Sequence, residues 1–234
     1  MSKVSYEIIR NDERLFFHDG EKYVLFDTGF FYSPMGKNSR SVNGGIGPFR
    51  VSTQEKSFFT EFINLQMGDG AKVTAVFNPM DGYNCMLQGN TLTITDEETD
   101  PPAAEHFLEF VIPWLPVVEG QVNGHSCRLL FDSGARMTMI GDRALIAEAE
   151  KTGTYREWMA MKREYADLQV FKIDLKFPCG AGFAGSGALV EDPAYTVQGR
   201  MMNIKAMLGI DIFRHYDLFI AAKGKKRGIA LMHK

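Results

Sequence analysis

The sequence predicts a mostly β protein built from two similar halves, with one helical stretch inserted in the second half. Three observations predict this. A hairpin-like segment ending in Phe-Asp-(Thr/Ser)-Gly occurs twice, and strand-forming runs separated by glycine-rich turns fill most of the chain. Helix-forming residues with apolar spacing are concentrated at 142–165. The 234 residues suffice for one large domain or two compact lobes.

The composition is that of an ordinary globular protein, with 45% hydrophobic and 24% charged residues. The 26 basic and 29 acidic residues give a net charge of −3, which lacks the basic excess of nucleic-acid-binding proteins. The three cysteines do not have metal-ligand spacing. Residues 1–10 lack the apolar core of a signal peptide, and no apolar run approaches a membrane span. We therefore expect a cytoplasmic protein without nucleic-acid or membrane partners.

The repeated segment covers residues 15–29 in the first half and 117–134 in the second. Each copy is predicted to form a strand, a tight turn and a second strand. Asp19-Gly20 and Asn123-Gly124 indicate the turns, because these residue types tolerate the positive φ of a tight hairpin. The repeat therefore predicts a duplicated lobe.

An acidic stretch with two consecutive prolines separates the two copies. It has no apolar period, so it is predicted to be a linker. The predicted organisation is a first lobe over 1–97, a linker over 98–105 and a second lobe over 106–234.

The two copies end in the same acidic motif, at Asp27-Thr28-Gly29 and Asp132-Ser133-Gly134. A carboxylate at a strand end can be held rigidly when a hydroxyl bonds to nearby backbone and a glycine permits close approach. If two such ends meet, their carboxylates cannot both ionise cheaply, so one keeps its proton. Such a pair is an acid and a base in one site, which suits attack by water on a peptide carbonyl.

The chain resembles the retropepsin-like aspartic proteases, with both lobes in one polypeptide as in pepsin-like enzymes. Residues 129–135 are similar to the family's catalytic motif, and 206–220 to its later Leu-Gly block and following strand. Gly44, Gly45, Ile46 and Gly47, followed by Pro48-Phe49, resemble the glycine-rich flap tip of retroviral proteases.

The resemblance implies an acid-protease fold and an endopeptidase that needs no cofactor or metal. It implies Asp27 and Asp132 as the catalytic pair, and a flap formed by the Gly44–Gly47 segment that closes over the substrate. Thr28, Gly29, Ser133 and Gly134 would support the pair. The expected partner is a peptide or protein substrate bound in extended form by a monomer.

Some features depart from the family pattern. Phe30-Phe31 follow the first motif where a small residue is expected, and Gln88 interrupts the first lobe's Leu-Gly block. The helical stretch at 142–165 has no counterpart in the minimal retroviral fold. Only the glycine-rich segment 180–187 offers itself as a second flap.

Two alternatives follow from these departures. In the first, only Asp132 is competent and two chains pair their second lobes as a homodimer. In the second, the chain is a catalytically inactive peptide-binding pseudoprotease on the same scaffold, which the irregular first lobe supports.

Overall fold

The computed structural model describes residues 2–11, 13–20, 22–29, 42–53, 73–102, 106–159, 164–191 and 202–234. Phe30 and Phe31, which depart from the family pattern, lie outside these residues. Within them the protein is mostly β, as the sequence predicts. Short strands predominate, and the helical segments are single 3₁₀ turns.

Eight strands are described before residue 97: β1 Lys3–Asn11, β2 Arg14–Asp19, β3 Lys22–Phe26, β4 Val42–Ile46, β5 Phe49–Thr53, β6 Val73–Phe77, β7 Asn84–Gln88 and β8 Thr91–Thr95. A 3₁₀ turn at Pro79–Asp81 follows β6. Residues 98–102, the described part of the predicted linker, contain neither helix nor strand.

Ten strands are described after residue 105: β9 His106–Glu109, β10 Val117–Val122, β11 His125–Phe131, β12 Thr138–Ile140, β13 Lys151–Met159, β14 Glu164–Lys176, β15 Gly182–Leu189, β16 Ile204–Leu208, β17 Tyr216–Ala221 and β18 Gly228–His233. Two further 3₁₀ turns cover Arg143–Ile146 and Ile210–Arg214.

Both hairpins expected from the repeat are confirmed. β2 pairs with β3 and β10 with β11, and each pair is joined by two residues. Gly20 has φ +60°, while Asn123 and Gly124 have φ +51° and +80°. Tolerance of a positive φ was the reason for predicting turns here. Turns with positive φ match the right-handed twist of the paired strands.

The strands form two large sheets. One has the order β6-β3-β2-β1-β8-β7-β17-β18-β9, so it combines strands from both halves, and the other has the order β10-β11-β16-β12-β15-β14-β13. The antiparallel contact between β7 and β17 joins the halves, with Leu87 opposite Leu218. A separate hairpin is formed by β4 and β5.

The prediction of a helical stretch at 142–165 is wrong. Its described residues, 142–159 and 164–165, contain the four-residue 3₁₀ turn Arg143–Ile146 and no other helix, and β13 then runs antiparallel to β14. Along β13 the exposed Arg156 alternates with the buried Glu157, which is the two-residue period of a strand. Helix propensity is a weak preference, and pairing with the long neighbouring strand overrides it here.

Large aromatic side chains fill the interior directly beneath the strand ends. Phe26 and Phe131, the residues that precede the two aspartates, are fully buried. Phe77 and Phe213 are also fully buried, and the Phe26 and Phe77 rings lie 6.1 Å apart. Burying such a side chain stabilises the fold by about 1.5–3 kcal/mol. The segments that carry the aspartates are therefore anchored in the core.

Among the described residues, no helix has both the length and the apolar character required to cross a membrane.

Candidate active site

Asp27 and Asp132 occupy equivalent positions at the ends of two strands. The amide of Asp27 donates to the Phe77 carbonyl at 3.0 Å, and the amide of Asp132 donates to the Leu208 carbonyl at 2.9 Å. Phe77 ends β6, which is parallel to β3, and Leu208 ends β16, which is parallel to β11. Each aspartate is thus fixed where a hairpin strand meets a parallel neighbour.

The two motifs are joined by a set of crossed hydrogen bonds between Thr28 and Ser133. The Thr28 amide donates to Ser133 Oγ at 2.9 Å, and the Ser133 amide donates to Thr28 Oγ1 at 2.9 Å. Each hydroxyl also donates to a carbonyl of the other half, at Phe131 and Phe26. Both side chains are fully buried, so the two loops are held rigidly face to face.

Glycine is required at the next position of each motif because the opposite carboxyl group lies against it. A Cβ on Gly29 would collide with the Asp132 carboxyl group, and a Cβ on Gly134 would collide with that of Asp27. Each glycine amide also donates to the aspartate of its own motif at 2.9 Å. The structure therefore brings together all six of the predicted motif residues.

The two carboxyl groups face each other across the junction of the motifs, since each lies against the glycine of the opposite motif. Burial raises the pKa of Asp27 well above its usual range, and the neighbouring Asp132 carboxyl raises it further. Burial also raises the pKa of Asp132, while the hydrogen bond from Asp27 and the amides of Gly134 and Ala135 oppose that rise. Burial and the proximity of the two acids therefore favour a single proton held by the pair.

A buried ionic cluster lies beside the Asp132 loop. Arg14 Nη2 contacts Glu157 Oε1 at 3.1 Å, and Arg136 Nε contacts Glu157 Oε2 at 3.2 Å. Arg14 Nε also donates to the Gly134 carbonyl at 2.9 Å. Sequence reasoning missed these residues, because a charged side chain in a strand gives no signal that it is buried.

The described contacts of Gly47, in the predicted flap, are with Asp19 and Tyr6 near the turn of the first hairpin. Gly44 to Gly47 form one arm and the turn of the β4–β5 hairpin, and Ile46 is fully buried. The Gly47 amide donates to Asp19 Oδ2 at 2.9 Å. Asp19 lies at the opposite end of β3 from Asp27, about 16 Å away along the strand. The flap role of Gly44, Gly45, Ile46 and Gly47 stays a prediction.

The segment 180–187, considered as a second flap, begins in the turn of the β14–β15 hairpin and continues into β15. Residues 182–189 are β15, which lies between β12 and β14 within the seven-stranded sheet. β13, which the helical prediction concealed, contacts the segment that follows Asp132 through the ion pair between Glu157 and Arg136. Met159 of β13 packs with Ala135, three residues after Asp132.

Within the parts of the chain that the structure describes, no group of three or more His, Cys, Asp or Glu residues is arranged to hold a metal ion. Cys85, Cys127 and Cys179 are free thiols, and burial raises the pKa of Cys85.

No protein-family model matches the chain, and no curated protein matches it. A retropepsin-like aspartic protease from Rickettsia conorii is a structural match, with 12% sequence identity and a TM-score of 0.37. The match covers 54% of this chain and 89% of that one. A TM-score of this size does not establish a common fold, so a function for this chain has to rest on the geometry of its own residues.

Proposed function

We propose that this protein is an aspartic endopeptidase of the retropepsin-like class, with Asp27 and Asp132 as its catalytic pair. One observation carries the proposal: each carboxyl group lies against the glycine of the opposite motif, so the two acids face each other above the crossed Thr28–Ser133 bonds. Such an arrangement stabilises a single proton between two acids, which is the state needed for simultaneous acid and base catalysis.

In the proposed mechanism, the ionised Asp132 removes a proton from a water molecule bound between the carboxyl groups. The oxygen of that water attacks the carbon of the scissile peptide, while Asp27 gives its proton to the carbonyl oxygen. The tetrahedral intermediate then collapses as Asp132 passes its acquired proton to the leaving nitrogen. The hydroxyl proton of the intermediate returns to Asp27, which restores the starting protonation state.

We also propose that the chain is a two-lobe pseudo-dimer, with lobes at 1–97 and 106–234. The order β1-β8-β7 followed by β17-β18-β9 supports an approximate twofold relation between the halves, centred between β7 and β17. The exchange of equivalent bonds between Thr28 and Ser133 supports the same relation. Since one chain supplies both aspartates, a monomer is sufficient for the proposed activity.

A single assay separates this proposal from its alternatives. Purified protein is incubated with a peptide library from pH 3 to 8, with and without a statine-type transition-state mimic, and cleavage is read by mass spectrometry. We expect mimic-sensitive cleavage that falls about 1,000-fold or more in both Asp27→Asn and Asp132→Asn. Asp174→Asn, an exposed aspartate of β14, is the matched control and should retain full activity.

Each other outcome has a defined meaning. Full activity in Asp27→Asn together with a dimer in solution would show that the site is formed by Asp132 from two chains. Binding of the mimic without cleavage at any pH would show a peptide-binding pseudoprotease. Neither binding nor cleavage would remove the peptide-directed function altogether.

A further inference from the structure

Residues 111–116, here called the Trp114 turn, present two apolar side chains to solvent just before β10. Trp114 is 71% exposed and Val111 is 38% exposed. Among the described residues, the only other exposed large hydrophobic side chain is that of Tyr165. Single exposed apolar side chains are ordinary on protein surfaces, but a pair at one place is more typical of a binding surface.

Backbone hydrogen bonds hold the Trp114 turn in a defined conformation. The Leu115 amide donates to the Ile112 carbonyl at 3.1 Å, which places Pro113 and Trp114 at the two central positions of a four-residue turn. The Val117 amide then donates to the Leu115 carbonyl at 2.7 Å. Proline is favoured at the first central position, whereas the second is usually a small or polar residue. A tryptophan that is mostly exposed adds little to the core, so neither turn formation nor packing accounts for it.

A basic loop lies directly beside the Trp114 turn. This loop joins β17 to β18 over residues 222–227, and its basic residues are Lys223, Lys225, Lys226 and Arg227. Arg227 Nη1 donates to the Pro113 carbonyl at 3.0 Å, and the Phe110 amide donates to the Arg227 carbonyl at 2.9 Å. These two hydrogen bonds fix the basic loop against the aromatic turn.

The two lysines at the centre of the basic loop carry positive charge without an ionic partner. Lys225 and Lys226 are exposed, and they make no ion pair with any residue that the structure describes. Acidic side chains lie nearby at other points of the loop: Glu98 lies against Gly224, and Glu109 lies across from the start of β18. The surface beside Trp114 therefore combines an apolar ring with two uncompensated lysines.

This combination matches the chemistry of a charged lipid surface. An indole ring settles at the level of the lipid headgroups, where its apolar body and its N–H group both find suitable surroundings. Lysine side chains attract anionic headgroups and can keep their apolar stems in the interface. A protruding turn can insert into a fluid interface, whereas a folded protein partner would need a pocket of matching shape.

We propose that the Trp114 turn and the basic loop form a site that binds the surface of a bilayer containing anionic phospholipids. One aromatic anchor and a few basic residues give peripheral, reversible binding. The sequence led us to expect no membrane partner, because it lacks an apolar run that approaches a membrane span, but a surface site needs no such run. The inference does not rest on the proposed protease function.

Binding of the full-length protein to vesicles tests the proposal. Vesicles of phosphatidylcholine alone are compared with vesicles of phosphatidylcholine mixed with phosphatidylserine, and bound protein is measured by cosedimentation. We expect binding to the mixed vesicles only. This binding should be lost at high salt, because salt screens the attraction between exposed lysines and the headgroups.

Two variants remove the two parts of the site separately. The double variant Lys225→Gln/Lys226→Gln should weaken binding to the mixed vesicles about 30-fold. Trp114→Ala should weaken it about tenfold or more, because the buried aromatic surface is lost. Since Trp114 is mostly exposed, its replacement should leave the fold intact.

Matched controls make the same chemical changes elsewhere on the surface. Lys3→Gln/Lys151→Gln removes two exposed lysines, on β1 and β13, and Tyr165→Ala removes the other exposed aromatic side chain. Both controls should bind within about twofold of wild type if the site is local rather than a result of overall charge.

Tryptophan fluorescence gives a second measurement. Lipids with brominated acyl chains should quench the emission of the wild-type protein in mixed vesicles, and this quenching should be absent in Trp114→Ala. Failure to bind mixed vesicles, equal binding to neutral vesicles, or unchanged binding by either site variant would overturn the proposal. Binding of an oligonucleotide through Trp114 and the two lysines, without vesicle binding, would also overturn it and would assign the surface to nucleic acid.

The result is independent of the aspartates. Trp114→Ala and Lys225→Gln/Lys226→Gln should cleave a soluble peptide at the wild-type rate if the protease proposal is correct. Vesicle binding without any peptide cleavage would overturn only the protease proposal, and cleavage without vesicle binding would overturn only the lipid-binding site.

Discussion

Thr28 and Ser133, 105 residues apart in the chain, each use both their amide and their hydroxyl to bind the opposite half. Neither hydroxyl is accessible to solvent. Loss of one hydroxyl would leave a buried amide and a buried carbonyl without partners. Removal of a single hydroxyl group should therefore destabilise the interface beneath the aspartates.

Thr28→Val replaces the hydroxyl by a methyl group of similar size. We expect it to lower the free energy of unfolding by about 2–4 kcal/mol, because the Ser133 amide and the Phe131 carbonyl lose their partner. Thr28→Ser keeps the hydroxyl and should cost much less. Urea unfolding at constant pH measures both, and a Thr28→Val variant as stable as Thr28→Ser would contradict the assigned hydrogen bonds.

Gly134→Ala should disable the site, because its Cβ would displace the Asp27 carboxyl group. A displacement of about 1 Å in a catalytic group reduces rates by about 100-fold, so kcat/KM should fall at least that far. Gly153→Ala on β13 is the matched control, since a Cβ there meets no atom within 4 Å. An active Gly134→Ala enzyme would show that the carboxyl groups lie further apart in solution.

Asp211→Asn should change how stability depends on pH. Asp211 accepts hydrogen bonds from the Thr138 amide and hydroxyl, and burial raises its pKa to about 6. A raised pKa means that the folded protein favours the protonated form. The contribution of protonated Asp211 to the free energy of unfolding is therefore complete below about pH 4, and it is lost as the pH rises through about 6.

Relative to Asp211→Asn, the wild-type protein should lose about 3 kcal/mol of stability between pH 4 and pH 7. Urea unfolding of both proteins at several pH values measures the difference between their free energies of unfolding. The contributions of other titrating groups cancel in this difference. Parallel curves for the two proteins would mean that Asp211 titrates at its ordinary pKa.

Asp19→Ala tests the assignment of the glycine-rich hairpin. Removal of the carboxylate should increase hydrogen exchange at the Gly47 amide, which loses its acceptor. Because Asp19 lies at the far end of β3 from Asp27, kcat/KM should stay within about twofold of wild type. Tyr6→Phe, which removes only the second donor to Asp19, is the control. A tenfold change in kcat/KM would instead support a flap at Gly44–Gly47.

The sequence was sufficient to predict the two hairpins and the position of both aspartates. The turn signals Asp19-Gly20 and Asn123-Gly124 act locally, and a strand end fixes the residue that follows it. The duplication then predicted that Asp27 and Asp132 are equivalent. These features depend on nearest-neighbour chemistry, which a single sequence contains.

The rest depends on long-range pairing, which local patterns do not encode. The stretch at 142–165 is rich in helix-forming residues, yet its second part forms a strand that pairs with β14. Arg14 and Glu157 are 143 residues apart in the chain, and they meet only when the two halves are packed together. The Gly47 amide binds Asp19, 28 residues earlier in the chain, while the neighbouring Ile46 and Phe49 pack in the core.

The antiparallel contact between β7 and β17 has a practical consequence. A cut in the connector between the halves would leave one polypeptide with an unpaired β7 edge and another with an unpaired β17 edge. Each fragment would carry one of the two aspartates, and the pair would form only when the fragments recognise each other. Under the proposed function, the protein would thus be a template for a two-fragment reporter, silent when its pieces are separated and active when they are brought together.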